Sequence, residues 1–247
     1  MPIEAIEPRR LYRQVADQLR QLIDAGEFGV GDRLPTEREL AEKLGISRPT
    51  VREALIALEV EGRVRIRVGS GIYVTKPRQT AAAAVPAEGP FELLRAREFI
   101  EGAIAAEAAA RVRPTDVERL DDVLARMATA PHPSPATLSL DREFHTTVTA
   151  ILDNAVLVRF VGELFDQRVN PYFERLSRYF ENPETWRLAL EEHRAVRDAV
   201  VAGDPEAAKA AMRRHLRLSQ QRFTLSFGET AAAGGAAVEE EASGATR

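Results

Sequence analysis

Four side chains in the C-terminal half of the chain have the types and spacing to hold a cation. Asp141 and His145 are four residues apart, which on a helix stacks a carboxylate and an imidazole on one face. Val148 and Leu152 continue that face, so it points inward. His193 falls in the apolar stripe Trp186, Leu190, His193, Val196, Val200, and His215 falls in the stripe Ala211, Met212, His215, Leu218. Three imidazoles and one carboxylate turned into one helical core match a first-row divalent ion, with zinc, nickel or manganese as the expected metals. Strictly tetrahedral zinc would be closed by four such ligands, whereas an octahedral ion keeps two positions for water or a bidentate carboxylate. Any one of these histidines reads more simply as a core residue bonded to a carbonyl; three coinciding with an aspartate do not. The chain has 4 histidines, and the remaining one, His132, sits in the Pro131 to Pro135 loop with nothing rigid to position it. There are 0 cysteines, which excludes thiolate ligands and disulfides and suits a reducing compartment.

A second group of residues could bind an anionic polymer. Ser47 is a good N-cap, Pro49 fits the first helical turn, and Val51, Ala54, Leu55 and Leu58 make one apolar face. Arg48 and Arg52, again four apart, are expected on a flank away from that face with both guanidiniums outward. Arginine there suits bidentate contact with guanine O6 and N7 or with phosphate. Thr50 can donate to a phosphate, and the helix N-terminus attracts anionic oxygen. Arg38, one helix earlier, is a further phosphate contact, and the small tip at Gly69 lets a backbone approach a groove. The plainer alternative is a solvated face with ion pairs to Glu53 or Glu59.

The elements that must position these residues are legible in the periodicities. Leu11, Val15, Leu19, Leu22 and Ile23 recur at helical spacing until Gly26. Thr36 with Glu39 forms a capping box for a second helix that buries Leu40 and Leu44 and stops at Gly45. A short turn then leads to the Ser47 helix, giving helix, tight turn, helix. Beyond Gly62 the period becomes two, with Val64, Ile66 and Val68 alternating with Arg63, Arg65 and Arg67, and Ile72-Tyr73-Val74 follows Gly69-Ser70-Gly71. That pattern predicts a β-hairpin. Residues 76–90 are Ala- and Pro-rich and read as a linker. From 91 to 227 the pattern is helical, with cap signals at Pro114-Thr115 with Glu118, at Asn182-Pro183 and at Gly203-Asp204-Pro205, and six or seven helices are expected. Residues 228–247 have no periodic apolar face and are expected to be disordered. The fold class is therefore mainly α: a winged helix-turn-helix over 1–75, of three helices and a hairpin wing, then a helical bundle over 91–227.

Charge fits that division. The net charge is -4, yet residues 1–80 hold 14 Lys and Arg against 12 Asp and Glu, so the excess acid lies beyond them. The first ten residues carry Glu4, Glu7, Arg9 and Arg10 rather than a signal-peptide core, and no stretch reaches the roughly 20 apolar residues of a membrane span. A cytoplasmic protein without membrane partners is expected.

The run Leu34-Pro35-Thr36-Glu37-Arg38-Glu39-Leu40-Ala41, then Leu44-Gly45-Ile46-Ser47-Arg48-Pro49-Thr50-Val51-Arg52-Glu53-Ala54-Leu55, resembles the winged-helix domain of the GntR family of bacterial transcription regulators. By that resemblance Arg38, Arg48, Thr50, Arg52 and Gly69 match DNA-contacting positions, with Ser70 where a basic residue is frequent. Asp141, His145, His193 and His215 are similarly placed to the metal ligands of the FCD domain of the FadR subfamily. Arg97 resembles an arginine that faces the effector pocket there, and its rival reading is an i, i+4 ion pair with Glu101. The resemblance implies a homodimer on a palindromic double-stranded operator, a small organic-acid effector, and repression as the family default. A metal-dependent hydrolase is the rival class, but the chain has no nucleophile elbow, no phosphate-cradling glycine loop and no motif-placed general base. A purely architectural DNA-binding protein would not need histidines inside a helical core.

Overall fold

The computed structural model describes residues 11–76, 89–130 and 134–223, and they belong to two compact units that divide at Gly89 and Pro90. The tail expected over 228–247, most of the linker expected over 76–90, and His132 lie outside the described residues.

The first unit contains α1 (Leu11–Asp24), α2 (Glu37–Leu44), α3 (Arg48–Val60), β1 (Val64–Arg67) and β2 (Gly71–Val74). α1 buries Tyr12, Val15, Ala16 and Leu19, an i, i+3, i+4, i+7 stripe, while Leu11 is turned out. The expected capping box is formed: Glu39 N–H reaches Thr36 Oγ1 at 3.3 Å and Thr36 N–H reaches Glu39 Oε2 at 2.7 Å. Gly45 ends α2 at φ 65°, a left-handed conformation that suits glycine. Ser47 then caps α3 by accepting from Thr50 N–H, so the chain turns between α2 and α3 in three residues. The antiparallel hairpin pairs Val64 with Val74 and Ile66 with Ile72, all four buried on one face. Val68, expected to continue that face, is exposed in the turn instead, because β1 ends at Arg67.

Among the described residues the second unit holds seven helices: α4 (Pro90–Ala109), α5 (Pro114–Thr129), α6 (Pro135–Ala150), α7 (Ala155–Asp166), α8 (Pro171–Phe180), α9 (Pro183–Val201) and α10 (Pro205–Arg222). Six of the seven, all but α7, open with proline in the first turn. Asn182 caps α9 and Asp204 caps α10 as the dipeptides predicted. At α5 the reciprocal partner of Arg113 is Asp116 rather than Glu118. α4 packs along α10, and α9 packs on both, while α6 lies against α4, α5 and α7. Gly102 lies where α4 approaches α10 closely: a Cβ there would meet Arg213 Cγ at 2.7 Å. Glu98, one turn earlier, accepts from Arg213 Nε at 3.1 Å and Arg217 Nε at 2.8 Å, so the same seam is tied by charge. α4, α6, α9 and α10 thereby enclose the ring-bearing side chains.

Candidate functional site

Helix spacing and inter-helix packing bring the four candidate ligands together. Asp141 and His145 come from α6, His193 from α9 and His215 from α10, and each offers a ligand atom within 4.8 Å of the others. All four are buried, His145 and His193 to 1% exposure. His193 Nε2 lies 3.0 Å from Asp141 Oδ1 and 3.4 Å from His145 Nε2, and His145 Nε2 lies 3.4 Å from the same Asp141 oxygen. The His193 and His215 ring centroids are 4.3 Å apart, and Phe144 stands edge-on to His193 at 4.6 Å. The outer nitrogens of two rings meet carboxylates. His215 Nδ1 is 2.9 Å from Glu192 Oε2, and His145 Nδ1 lies against Glu101 Oε2, close but off the line of a hydrogen bond.

The electrostatics favour a positive charge at the centre. Burial, the largest influence on Asp141, pushes its carboxyl up, yet His145 and His193 outweigh it and hold the group well below the usual carboxylate range. Burial likewise acts against Glu101, but Arg97 and His145 keep it ionised at about 2. Burial pushes His215 down to about 3 and lowers His193 as well, so both rings are neutral at pH 7. For His145 burial acts downward but Glu101 and Asp141 together raise it. Asp141 Oδ1 is buried without a hydrogen-bond donor, beside imidazole nitrogens that can present lone pairs. A buried anionic oxygen in such company is a ready cation ligand, and the donor set of three imidazoles and one carboxylate suits a divalent ion.

Beside the cluster is a cavity of about 50 Å³, room for a few water-sized groups, lined by Asp141, His193 and His215 and by three arginines, Arg97, Arg168 and Arg222. Arg97 forms the ion pair with Glu101 and also lines the cavity. Its Nε donates to Glu101 Oε1 at 2.6 Å, forming the i, i+4 pair, while its buried Nη2 has no hydrogen-bond partner. Arg168 Nε and Trp186 Nε1, on the same wall, are also buried without a hydrogen-bond partner. Unsatisfied buried donors are costly, so an acceptor placed against this wall would be bonded by it. A larger groove of about 890 Å³ shares Leu138, Arg168 and Glu181 with the cavity. Arg168, Arg222 and Glu192 went unnoticed in the sequence. Arg168 follows α7 in a turn without periodicity, and Glu192, adjacent to His193, reads as the ordinary charged neighbour of a core residue.

In the first unit Arg38 and Arg48 are exposed, on α2 and at the first position of α3. Gly69 is exposed in the hairpin turn at φ 72°, and Ser47 Oγ is 2.8 Å from Thr50 Oγ1. Arg52 does not point outward as expected. It is 2% exposed, and its Nε and Nη2 donate to Glu37 Oε1 and Oε2 at 2.9 and 2.7 Å. Glu37 opens α2, so the guanidinium is drawn across the turn between the two helices rather than along the outer flank of α3.

A winged helix-turn-helix joined in one chain to a helical unit with a buried His/Asp cluster is the architecture of a DNA-binding transcriptional regulator. Residues 11–74 match the bacterial regulatory proteins of the gntR family, and residues 92–218 match the FCD domain. The chain belongs to the GntR family, in its FadR-like, FCD-bearing subfamily. It is 40% identical to the Exu regulon transcriptional regulator of Escherichia coli (strain K12) over 225 residues, covering 87% of this chain and 84% of that protein. It is 35% identical to the Uxu operon regulator of Haemophilus influenzae over 212 residues, covering 84% of this chain and 79% of the relative. A solved GntR structure from Streptococcus agalactiae aligns with a TM-score of 0.45 at 26% identity, covering 85% of this chain and 99% of the other. These families and relatives are transcriptional regulators, not enzymes. No described helix is long and apolar enough to cross a membrane.

Proposed function

We propose that this chain is a homodimeric repressor whose helical domain holds one divalent metal through Asp141, His145, His193 and His215 and binds a small carboxylate effector beside it. The observation that carries the reading is the buried Asp141 oxygen without a donor, set among three imidazoles and next to a cavity walled by arginines. A divalent ion there would supply a Lewis-acidic charge for an effector carboxylate. The chain's own groups do the rest. Arg97 Nη2 and Arg168 Nε offer N–H groups to the carboxylate, Trp186 Nε1 offers another to a polar substituent, and Phe144 packs the His193 ring. An effector that prefers one packing of α4, α6, α9 and α10 shifts the population toward it, and operator affinity changes to the extent that the two packings differ. The similarity to the Exu regulon and Uxu operon regulators supports a role in controlling an operon or regulon. Elemental analysis of the purified protein, with titration of zinc, nickel and manganese into the stripped form, tests the metal. Absence of a stoichiometric site in both would overturn it.

On the DNA side, Arg38, Ser47, Arg48, Thr50 and Gly69 are the proposed contacts, with Arg48 reading a base edge and Arg38 and Thr50 meeting phosphates. Arg52 is proposed to act on DNA through the position of α3. Arg48→Ala is expected to weaken binding to an operator selected from random duplex by about 1–3 kcal/mol. The fold should be unchanged, because the side chain is exposed. Unaltered affinity and salt dependence would remove Arg48 from the interface. One winged helix buries too little surface for tight recognition, so two are expected on a palindromic site. Sedimentation should give a dimer free and on DNA; a monomer in both states would contradict the two-fold arrangement.

A further inference from the structure

Three of the four candidate ligands are held from behind by a connection that ends at an arginine of the cavity wall. Arg222 donates to both oxygens of Glu192 at 2.7 and 3.0 Å, and Glu192 Oε2 is 2.9 Å from His215 Nδ1. Arg97 donates to Glu101 Oε1 at 2.6 Å, and Glu101 Oε2 lies against His145 Nδ1. Arg168 Nη1 donates directly to Asp141 Oδ2 at 3.1 Å, leaving Oδ1 for the cluster. His193 is the exception, since its Nδ1 is buried with no hydrogen-bond partner.

The chemistry of the outer shell follows from what a carboxylate can do. An ionised carboxylate only accepts, so the ring nitrogen bonded to Glu192 must carry the proton, and Nε2 of His215 is left with the lone pair that binds metal. Arg97, Arg168 and Arg222 all line the cavity. An anion entering it therefore competes for the guanidiniums that brace the outer carboxylates, and a shift at either end is felt at the other.

We propose that Glu192 and Glu101 are the positioning residues of the metal centre, Glu192 setting the tautomer and aim of His215 through its hydrogen bond and Glu101 the aim of His145 through charge contact, and that Arg222 and Arg97 couple that aim to an anion in the cavity. The inference rests on the metal reading above. It adds that metal and carboxylate influence each other through the Arg–Glu–His connections as well as by direct contact, and by linkage the influence is reciprocal. His193, lacking an outer partner, takes no part in this coupling.

The test uses the full-length chain. In metal-free protein, nitrogen NMR should find His215 as the Nδ1–H tautomer, a signature that a merely structural glutamate would not set. Glu192→Gln should weaken nickel binding, measured by chelator competition, by about 10–100-fold. Acetate should change the parent's nickel affinity and acetamide should not, and Arg222→Gln should diminish the acetate effect. Because the tautomer is read on the parent, the proposal stays falsifiable even if a variant fails to fold. An Nε2–H tautomer at His215, or a folded Glu192→Gln that binds nickel as the parent does, overturns the positioning role while the metal site stands. A parent that binds no zinc, nickel or manganese overturns the metal site and this inference together.

Discussion

Returning a divalent metal to the stripped protein is expected to stabilise the helical unit by about 4 kcal/mol when free metal exceeds its dissociation constant roughly 1,000-fold. His193→Ala should abolish most of that gain. His193 is the informative ligand to remove because its outer nitrogen has no hydrogen-bond partner, so truncation strands no carboxylate behind the ring, whereas loss of His145 or His215 would leave Glu101 or Glu192 facing a void. Truncating a buried ring also leaves a cavity with its own cost, and the comparison is therefore the metal-induced shift within each protein rather than their absolute stabilities. Trp186 is the chain's 1 tryptophan and lines the cavity, so its fluorescence reports on this unit during thermal unfolding. Equal metal-induced shifts in parent and His193→Ala would show that the cluster is not where the metal binds. Acidification should weaken the binding. Burial and neighbouring charge leave His193 and His215 neutral, but Glu101 and Asp141 overcome burial at His145 and raise it, so a proton there competes with the metal more strongly as pH falls. The variant should also lose its response to a carboxylate effector while the winged helix still binds DNA.

Much of this architecture is readable because its determinants are local. A cap acts over three or four residues, and so Thr36 with Glu39, Ser47, Asn182 and Asp204 announce their helices before any packing is known. The His/Asp cluster is readable for a related reason. A histidine inside an apolar stripe must point into the core, and several such stripes in one bundle have few places to meet. The missed features depend on which helix lies beside which. Arg168 and Arg222 reach the cluster only because the turn after α7 and the end of α10 pack near α6 and α9, a proximity with no signature in either segment. Periodicity also blurs at helix ends. Leu11 lies in phase with the α1 stripe but at its first position, where the apolar face is taken up by Tyr12. Val68 lies in phase with β1 but beyond its last residue, where alternation no longer governs direction.

Arg52 is the sharpest instance, and it carries a large expected effect. Spacing within α3 places Arg52 one turn after Arg48, which suggests a common outward flank, but the partner that decides its direction is on α2. Glu37 sits in the first turn of α2, where a carboxylate suits the helix dipole, and it accepts two parallel hydrogen bonds from the guanidinium. Side-chain exposures of 2% for Arg52 and 9% for Glu37 make this a desolvated pair. Removing one member of such a pair leaves the other charge buried and uncompensated, at a cost of about 3–5 kcal/mol. Arg52→Ala is therefore expected to destabilise the winged unit by that amount, and its loss of DNA binding follows from the displaced α3. Replacing both members with methionine should recover most of the stability, because well-packed apolar side chains of similar volume need no desolvation of charge. Hydrogen exchange of peptides from residues 11–76 in the full-length chain separates this unit from the helical one. Faster exchange in Arg52→Ala, largely restored in the double variant, is the expected result. Parent-like exchange in Arg52→Ala together with weakened operator binding would instead mean that Arg52 leaves Glu37 to meet the DNA.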